Sequence, residues 1–207
     1  HNLVIHPGSC LADHQAPPND PTQEASGDMP ELEHLLDPTG NSDQAANTTL
    51  APRPGTLTGL TIGLLDNTKP NATNLLRHVA GELQARHGTG QVREYAKDYF
   101  GTPMTEQVLN TLKAECDLVI TAVGDCGSCS AATVADGIML ERAGIPAVAI
   151  VSDSFLVSGR AMAQLQGFSG YEFVAVRHPV ASCDETELRQ RVLEVLPDIQ
   201  RILGLEN

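Results

Sequence analysis

Leu118-Val119-Ile120-Thr121-Ala122-Val123-Gly124-Asp125-Cys126-Gly127-Ser128-Cys129 decides the fold. The first six residues are apolar or β-branched and read as a buried strand over 118–123. Gly124 to Ser130 reads as a loop. Ala131 to Ala143 then predicts a helix, with Val134, Ile138 and Met139 on one side and Gly144 as its stop. Strand, polar loop, helix is the first half of a parallel crossover unit. The same grammar extends in both directions. Upstream, Leu60 to Leu65 predicts a strand and Asn74 to Arg86 a helix that ends at Gly88 and Gly90. Gln91 to Tyr95 follows as a weak strand and Thr105 to Glu115 as a helix. Downstream, Pro146 to Val151 predicts a fourth strand, Phe155 to Gln166 a helix and Phe173 to Val176 a fifth strand. Glu185 to Leu203 predicts a last helix that Pro197 kinks or splits. Five strands with such connections fit an α/β flavodoxin-like, doubly wound parallel sheet in the order 2-1-3-4-5.

That order predicts where chemistry sits. Ligands bind beyond the carboxyl ends of the strands, at the switch point between strands 1 and 3. The loops there are Asp66-Asn67-Thr68-Lys69-Pro70-Asn71 and Gly124 to Cys129, the two loops richest in reactive and polar side chains. Cys126 and Cys129 form a Cys-x-x-Cys between a strand and a helix start. Free backbone N–H groups and the helix dipole stabilise a thiolate there, and the spacing lets the second sulfur resolve a mixed disulfide. Two reduced structural thiols are the plainer reading. The five cysteines are Cys10, Cys116, Cys126, Cys129 and Cys183. An odd number argues against a disulfide framework, and Cys116 reads as a small core residue.

Composition narrows the partners. The 207 residues carry 13 Lys and Arg against 26 Asp and Glu, a formal charge of −13, which disfavours nucleic acid and anionic membrane surfaces. Trp is 0 and aromatics are 3%, too few for a base-stacking platform. No apolar run suits a membrane span and no leader pattern stands at His1, so a cytoplasmic protein is expected. Residues 1–50 hold Asp13, Asp20, Glu24, Asp28, Glu31, Glu33, Asp37 and Asp43 with no Lys or Arg, and six prolines. Residues 1–56 therefore read as an acidic, extended or disordered arm and 57–207 as the domain. Within the arm, Leu3-Val4-Ile5 suits an edge strand and Pro30 to Leu36 a short helix, which leaves wrapping of a neighbouring subunit in a homo-oligomer open. Truncation near Leu57 is expected to cost the domain little stability.

Leu36-Asp37-Pro38-Thr39-Gly40, Ala51-Pro52-Arg53-Pro54, Ile62-Gly63-Leu64-Leu65-Asp66-Asn67 with Lys69-Pro70-Asn71-Ala72, and Gly124-Asp125-Cys126-Gly127-Ser128-Cys129 resemble the UGSC family. That family is named for a selenocysteine-Gly-Ser-Cys motif, whose first position is Cys126 here. The resemblance implies that Cys126 is the reactive position. It supplies no substrate. Residues 1–35 and Cys183 depart from the pattern. A more distant similarity reaches the aspartate/glutamate racemase superfamily, in which two cysteines act as acid and base on a carbon acid. Cys126 and Cys183 would then be the pair.

Around the cysteines, Asp125 and His178 are candidate acid–base groups. Lys69 and Arg177 end strands 1 and 5 and are candidates to grip an anionic substrate. Asp66, Asn67, Asn71, Ser128 and Ser152 complete the candidate binding set. Each has a plainer reading: a helix cap, a surface cation or a packed histidine. A zinc site from Cys126, Cys129, Cys183 and His178 is a rival, although strands 3 and 5 stand two spacings apart, about 9–10 Å. A flavin carrier lacks its phosphate loop, and a phosphoreceiver lacks its acidic pair. The expectation is thiol/disulfide redox catalysis on a small anionic molecule, with a thiol reductant and no cofactor or metal. A lyase or isomerase acting on a small carboxylate is the alternative, and a non-catalytic anion- or zinc-binding module is third.

Overall fold

The computed structural model describes residues 47–205. The expected edge strand at Leu3–Ile5, the helix at Pro30–Leu36 and Cys10 lie outside the described residues. Within them, β1 (Ile62–Asp66), α1 (Ala72–His87), β2 (Val92–Ala96), α2 (Glu106–Glu115), β3 (Leu118–Gly124), α3 (Gly127–Arg142), β4 (Ala147–Ser152), α4 (Leu156–Leu165), β5 (Val174–Val176) and α5 (Glu185–Ile202) follow in order. All strand pairs are parallel and the sheet runs β2-β1-β3-β4-β5. The strand order read from the sequence is the one observed.

Side chains alternate across β1 and divide the core. Ile62 and Leu64 pack with Leu75, Leu76 and Val79 of α1 and Leu188, Val192 and Leu196 of α5. Leu65 faces the other way, with Leu112 of α2, Val119 and Leu140. Parallel strands covered on both faces need apolar residues on both, which is why β3 and β4 are buried at every position. Among the described residues no helix is long and apolar enough to cross a membrane.

Two helix boundaries differ from expectation, each for a local reason. α3 begins at Gly127 rather than near Ala131, because Cys126 itself is the N-cap and its Sγ accepts the Cys129 N–H at 3.3 Å. The Cys-x-x-Cys is therefore the first turn of a helix and not the loop before it. α5 runs unbroken through Pro197. Pro197 lies on the exposed face, so its missing N–H leaves the Leu193 carbonyl to water and the buried stripe stays intact. At the start of α5, Asp184 and Glu187 form a reciprocal capping box.

The packing also reaches back into residues that composition assigned to the arm. The buried Glu141 carboxylate of α3 accepts the Ala51 N–H at 2.7 Å and the Ala147 N–H at 2.8 Å, and pairs with the Arg53 guanidinium at 2.7 Å. A chain starting at Leu57 would leave that carboxylate buried without its cation. It is expected to unfold with about 2–4 kcal/mol less stability than a chain starting at Asn47. Coincident urea midpoints for the two truncations would remove Arg53 from the account.

Candidate functional site

The exit of β3 is tied down by hydroxyl groups. The Gly124 carbonyl accepts both the Ser130 Oγ, at 2.9 Å, and the Ser152 Oγ, at 3.1 Å, which joins β3 to α3 and to the end of β4. A Cβ at Gly124 would stand 2.7 Å from the Ser130 Cα. Glycine there allows the first turn of α3 to close onto the strand. The turn so placed carries a Cys126–Cys129 disulfide, with Cα atoms 5.2 Å apart. Cys126 is partly exposed, Cys129 is fully buried, and the exposed Ser128 places its Oγ 3.7 Å from the Cys126 Sγ.

Beside it stands a second cluster. The Asp125 carboxylate, 4% exposed, lies 2.9 Å from the His178 Nδ1 and accepts the N–H groups of Val180 at 3.1 Å and Ala181 at 2.9 Å. Ser152 Oγ lies 3.2 Å from the same Nδ1 while giving its proton to Gly124. Both neighbours of Nδ1 thus act as acceptors. In the neutral ring Nδ1 holds the proton, and Nε2 keeps the lone pair that a base needs. Asp153 accepts the His178 N–H at 3.1 Å, and the Phe155 ring packs edge-on at 5.4 Å. Asp125, Ser152 and His178 come from three different strand ends, as the strand order requires.

The β1–α1 loop behaves differently from expectation. Asp66 commits one oxygen to the Thr68 N–H at 2.6 Å and the other to the Thr73 hydroxyl. Asn67 is fully buried and fastens the loop to β3, its N–H on the Ala122 carbonyl at 3.0 Å and its Nδ2 on the Val123 carbonyl at 2.8 Å. Asn71 adopts φ 65°, in the left-handed region, and donates its amide to the carbonyls of Val180 at 3.0 Å and Cys183 at 2.9 Å. These three side chains build the loop. Of the two expected anion-binding cations, Lys69 Nζ lies over the Phe100 ring, 3.9 Å from its centroid, and Arg177 is mostly exposed and turned toward Glu194 of α5 at 3.9 Å.

The remaining thiols are engaged elsewhere. Cys183 donates to the Pro179 carbonyl at 3.1 Å, and burial pushes its thiol above the usual range. Cys116 lies 3.5 Å from the Tyr95 hydroxyl, and burial likewise pushes it up. The four groups of the zinc reading are thus not assembled: two sulfurs bond to each other, the third meets a carbonyl, and the imidazole meets Asp125. Among the described residues no three of His, Cys, Asp and Glu stand together as metal ligands. A hollow of about 230 Å³ opens between α1 and β2, lined by Asp66, Thr73, Leu76 and Glu94. It shares only Asp66 with the candidate set.

Sequence reading missed Phe100, Phe155, and the Lys97–Asp136 pair, joined at 2.5 Å with side chains 3% and 0% exposed. Neither ring belongs to a motif, and the ion pair spans 39 positions. Only the strand order brings them near.

A search of curated proteins finds no match to this chain. The family model matches residues 34–205, from before β1 to just past α5 and across the Cys126–Cys129 turn, and the chain belongs to the UGSC family.

Proposed function

We propose that the protein is a thiol/disulfide oxidoreductase acting on a small disulfide, with Cys126 as the attacking sulfur and Cys129 as the resolving one. The observation that carries this reading is the Cys126–Cys129 disulfide in the first turn of α3, with the partly exposed residue first and the buried one second. In the reduced protein the Cys129 N–H and the α3 dipole favour a thiolate at Cys126. That thiolate attacks one sulfur of the substrate, the substrate S–S bond breaks, and one thiolate leaves and takes up a proton. The Cys129 thiol gives its proton to His178 Nε2, and its sulfur attacks Cys126 Sγ. The mixed disulfide breaks and the second substrate thiolate leaves with a proton. Two electrons pass from the cysteine pair to the substrate, and a dithiol reductant restores the pair. Asp125 holds His178 in the required tautomer.

Cys129→Ser tests the order of the two sulfurs. The reduced variant, given one equivalent of an aromatic disulfide, is expected to release one thiol and keep a mixed disulfide on Cys126, seen by peptide mass mapping. The unmodified protein is expected to release two thiols and keep none. An adduct on Cys116 or Cys183, with Cys126 untouched, would overturn the assignment.

A further inference from the structure

We propose that Phe100 and Lys69 select the substrate of the Cys126 site, with Phe100 presenting the Lys69 ammonium to an anionic reactant. The proposal rests on Cys126 being the reactive thiol. It begins with the segment that follows β2. Lys97 Nζ meets Asp136 Oδ2 of α3 at 2.5 Å, and the Met104 N–H meets Asp136 Oδ1 at 2.6 Å. One buried carboxylate therefore grips both feet of the segment 97–104. Its backbone is fixed a second time where the Lys97 N–H reaches the Asp66 carbonyl at 2.8 Å. Between those feet the Tyr99 and Phe100 rings lie tilted by 37° against each other, with centroids 4.4 Å apart. The Phe100 ring face then receives Lys69.

Two of these links join the elements that carry the disulfide. The helix that carries Asp136 begins at the Cys126–Cys129 turn. Lys69 gives its N–H to Asn67 Oδ1 at 3.3 Å, and Asn67 is fastened to Val123, three residues before Cys126. Among the described residues the Lys69 ammonium has no carboxylate within ion-pair distance. A ring face orients a cation without neutralising it. Its N–H groups stay available to a carboxylate, sulfonate or phosphate on the incoming molecule, at the carboxyl ends of β1 and β3. In a chain of net charge −13, one oriented cation on the loop that leaves β1, the strand paired with β3, decides whether anions are admitted or repelled.

Alkylation of the reduced full-length protein reads this out without requiring turnover. Rates at Cys126 are compared for iodoacetate, which is anionic, and iodoacetamide, which is neutral, by peptide mass mapping at low salt. In Lys69→Met and in Phe100→Met the iodoacetate to iodoacetamide rate ratio is expected to fall by about threefold to tenfold. Lys69→Arg is expected to keep the ratio, because a guanidinium stacks on the same ring. A purely structural role would move both reagents together and leave the ratio unchanged. An unchanged ratio in Lys69→Met overturns the proposal, and an unchanged ratio in Phe100→Met removes Phe100 from it. If the ratio falls while no disulfide is turned over, the anion seat stands and the redox reading fails. If disulfides are turned over and the ratio does not move, the redox reading stands without this device.

Discussion

In Cys126→Ser, turnover of a small disulfide with a dithiol donor is expected to fall by about 10³-fold or more, to the rate of the donor alone. A hydroxyl in place of the thiol is protonated at neutral pH and forms no exchangeable S–S bond, so the first step is lost outright. Relative to the reduced protein, in which the Cys126–Cys129 crosslink is already open, the fold does not need the sulfur. Cys126 caps α3 through its side chain, and serine is a good N-cap, so the variant is expected to keep its unfolding midpoint. Cys183→Ser separates the two enzymatic readings. Its thiol is turned onto the Pro179 carbonyl, and under the redox reading its loss leaves turnover within about twofold. A lyase or isomerase working with Cys126 and Cys183 as acid and base requires the reverse: damage in Cys183→Ser and retained activity in Cys129→Ser. Full activity in Cys126→Ser would refute both and leave the pair a structural crosslink.

The largest expected loss of stability is in Lys97→Met. Asp136 is fully buried and its carboxyl is raised, chiefly by desolvation, against the pull of Lys97 and the Met104 N–H. Removing the ammonium strands the charge, at a cost of about 3–5 kcal/mol. For a chain of this size that is a fall in Tm on the order of 10 °C. The pH dependence has a definite sign. A carboxyl whose folded value lies above its unfolded one binds more protons when folded, so stability falls as pH rises from the unfolded value to the folded one. The deficit of Lys97→Met is therefore expected to be full at neutral pH and to shrink on acidification toward the ordinary aspartate range. The double variant Lys97→Met with Asp136→Leu is expected to regain most of the loss, because it leaves no buried charge. Thermal melts of both proteins across pH check it. A deficit that persists in the double variant would show that the pair contributes more than it costs.

Most of the sheet is legible in the residues themselves. β3 and β4 read as strands because parallel strands covered on both faces are apolar throughout, and α1, α3 and α5 carry helical apolar spacing with punctuation at their ends. The first turn of α3 escapes such a reading because Gly-Ser-Cys-Ser lacks an apolar face; the cap that starts the helix is a sulfur accepting an amide, which residue statistics do not flag. Pro197 misleads because sequence does not say which face of a helix meets water.

Sequence alone determined that Cys126 and Cys129 sit at the carboxyl end of β3. Chain connectivity puts a strand–turn–helix motif there whatever the rest of the fold does. It likewise determined that Asp125 and Lys69 belong to neighbouring strand ends. Tertiary structure decided what those side chains do. Asp125 became the partner of His178 and Asn71 a strap to the β5–α5 loop. Lys69 went to a phenyl ring and Arg177 turned toward a helix. The Lys97–Asp136 and Arg53–Glu141 pairs arose the same way. A charged side chain takes the partner that satisfies it once water is excluded, and that partner is set by packing across the sheet, which no local pattern of residues records.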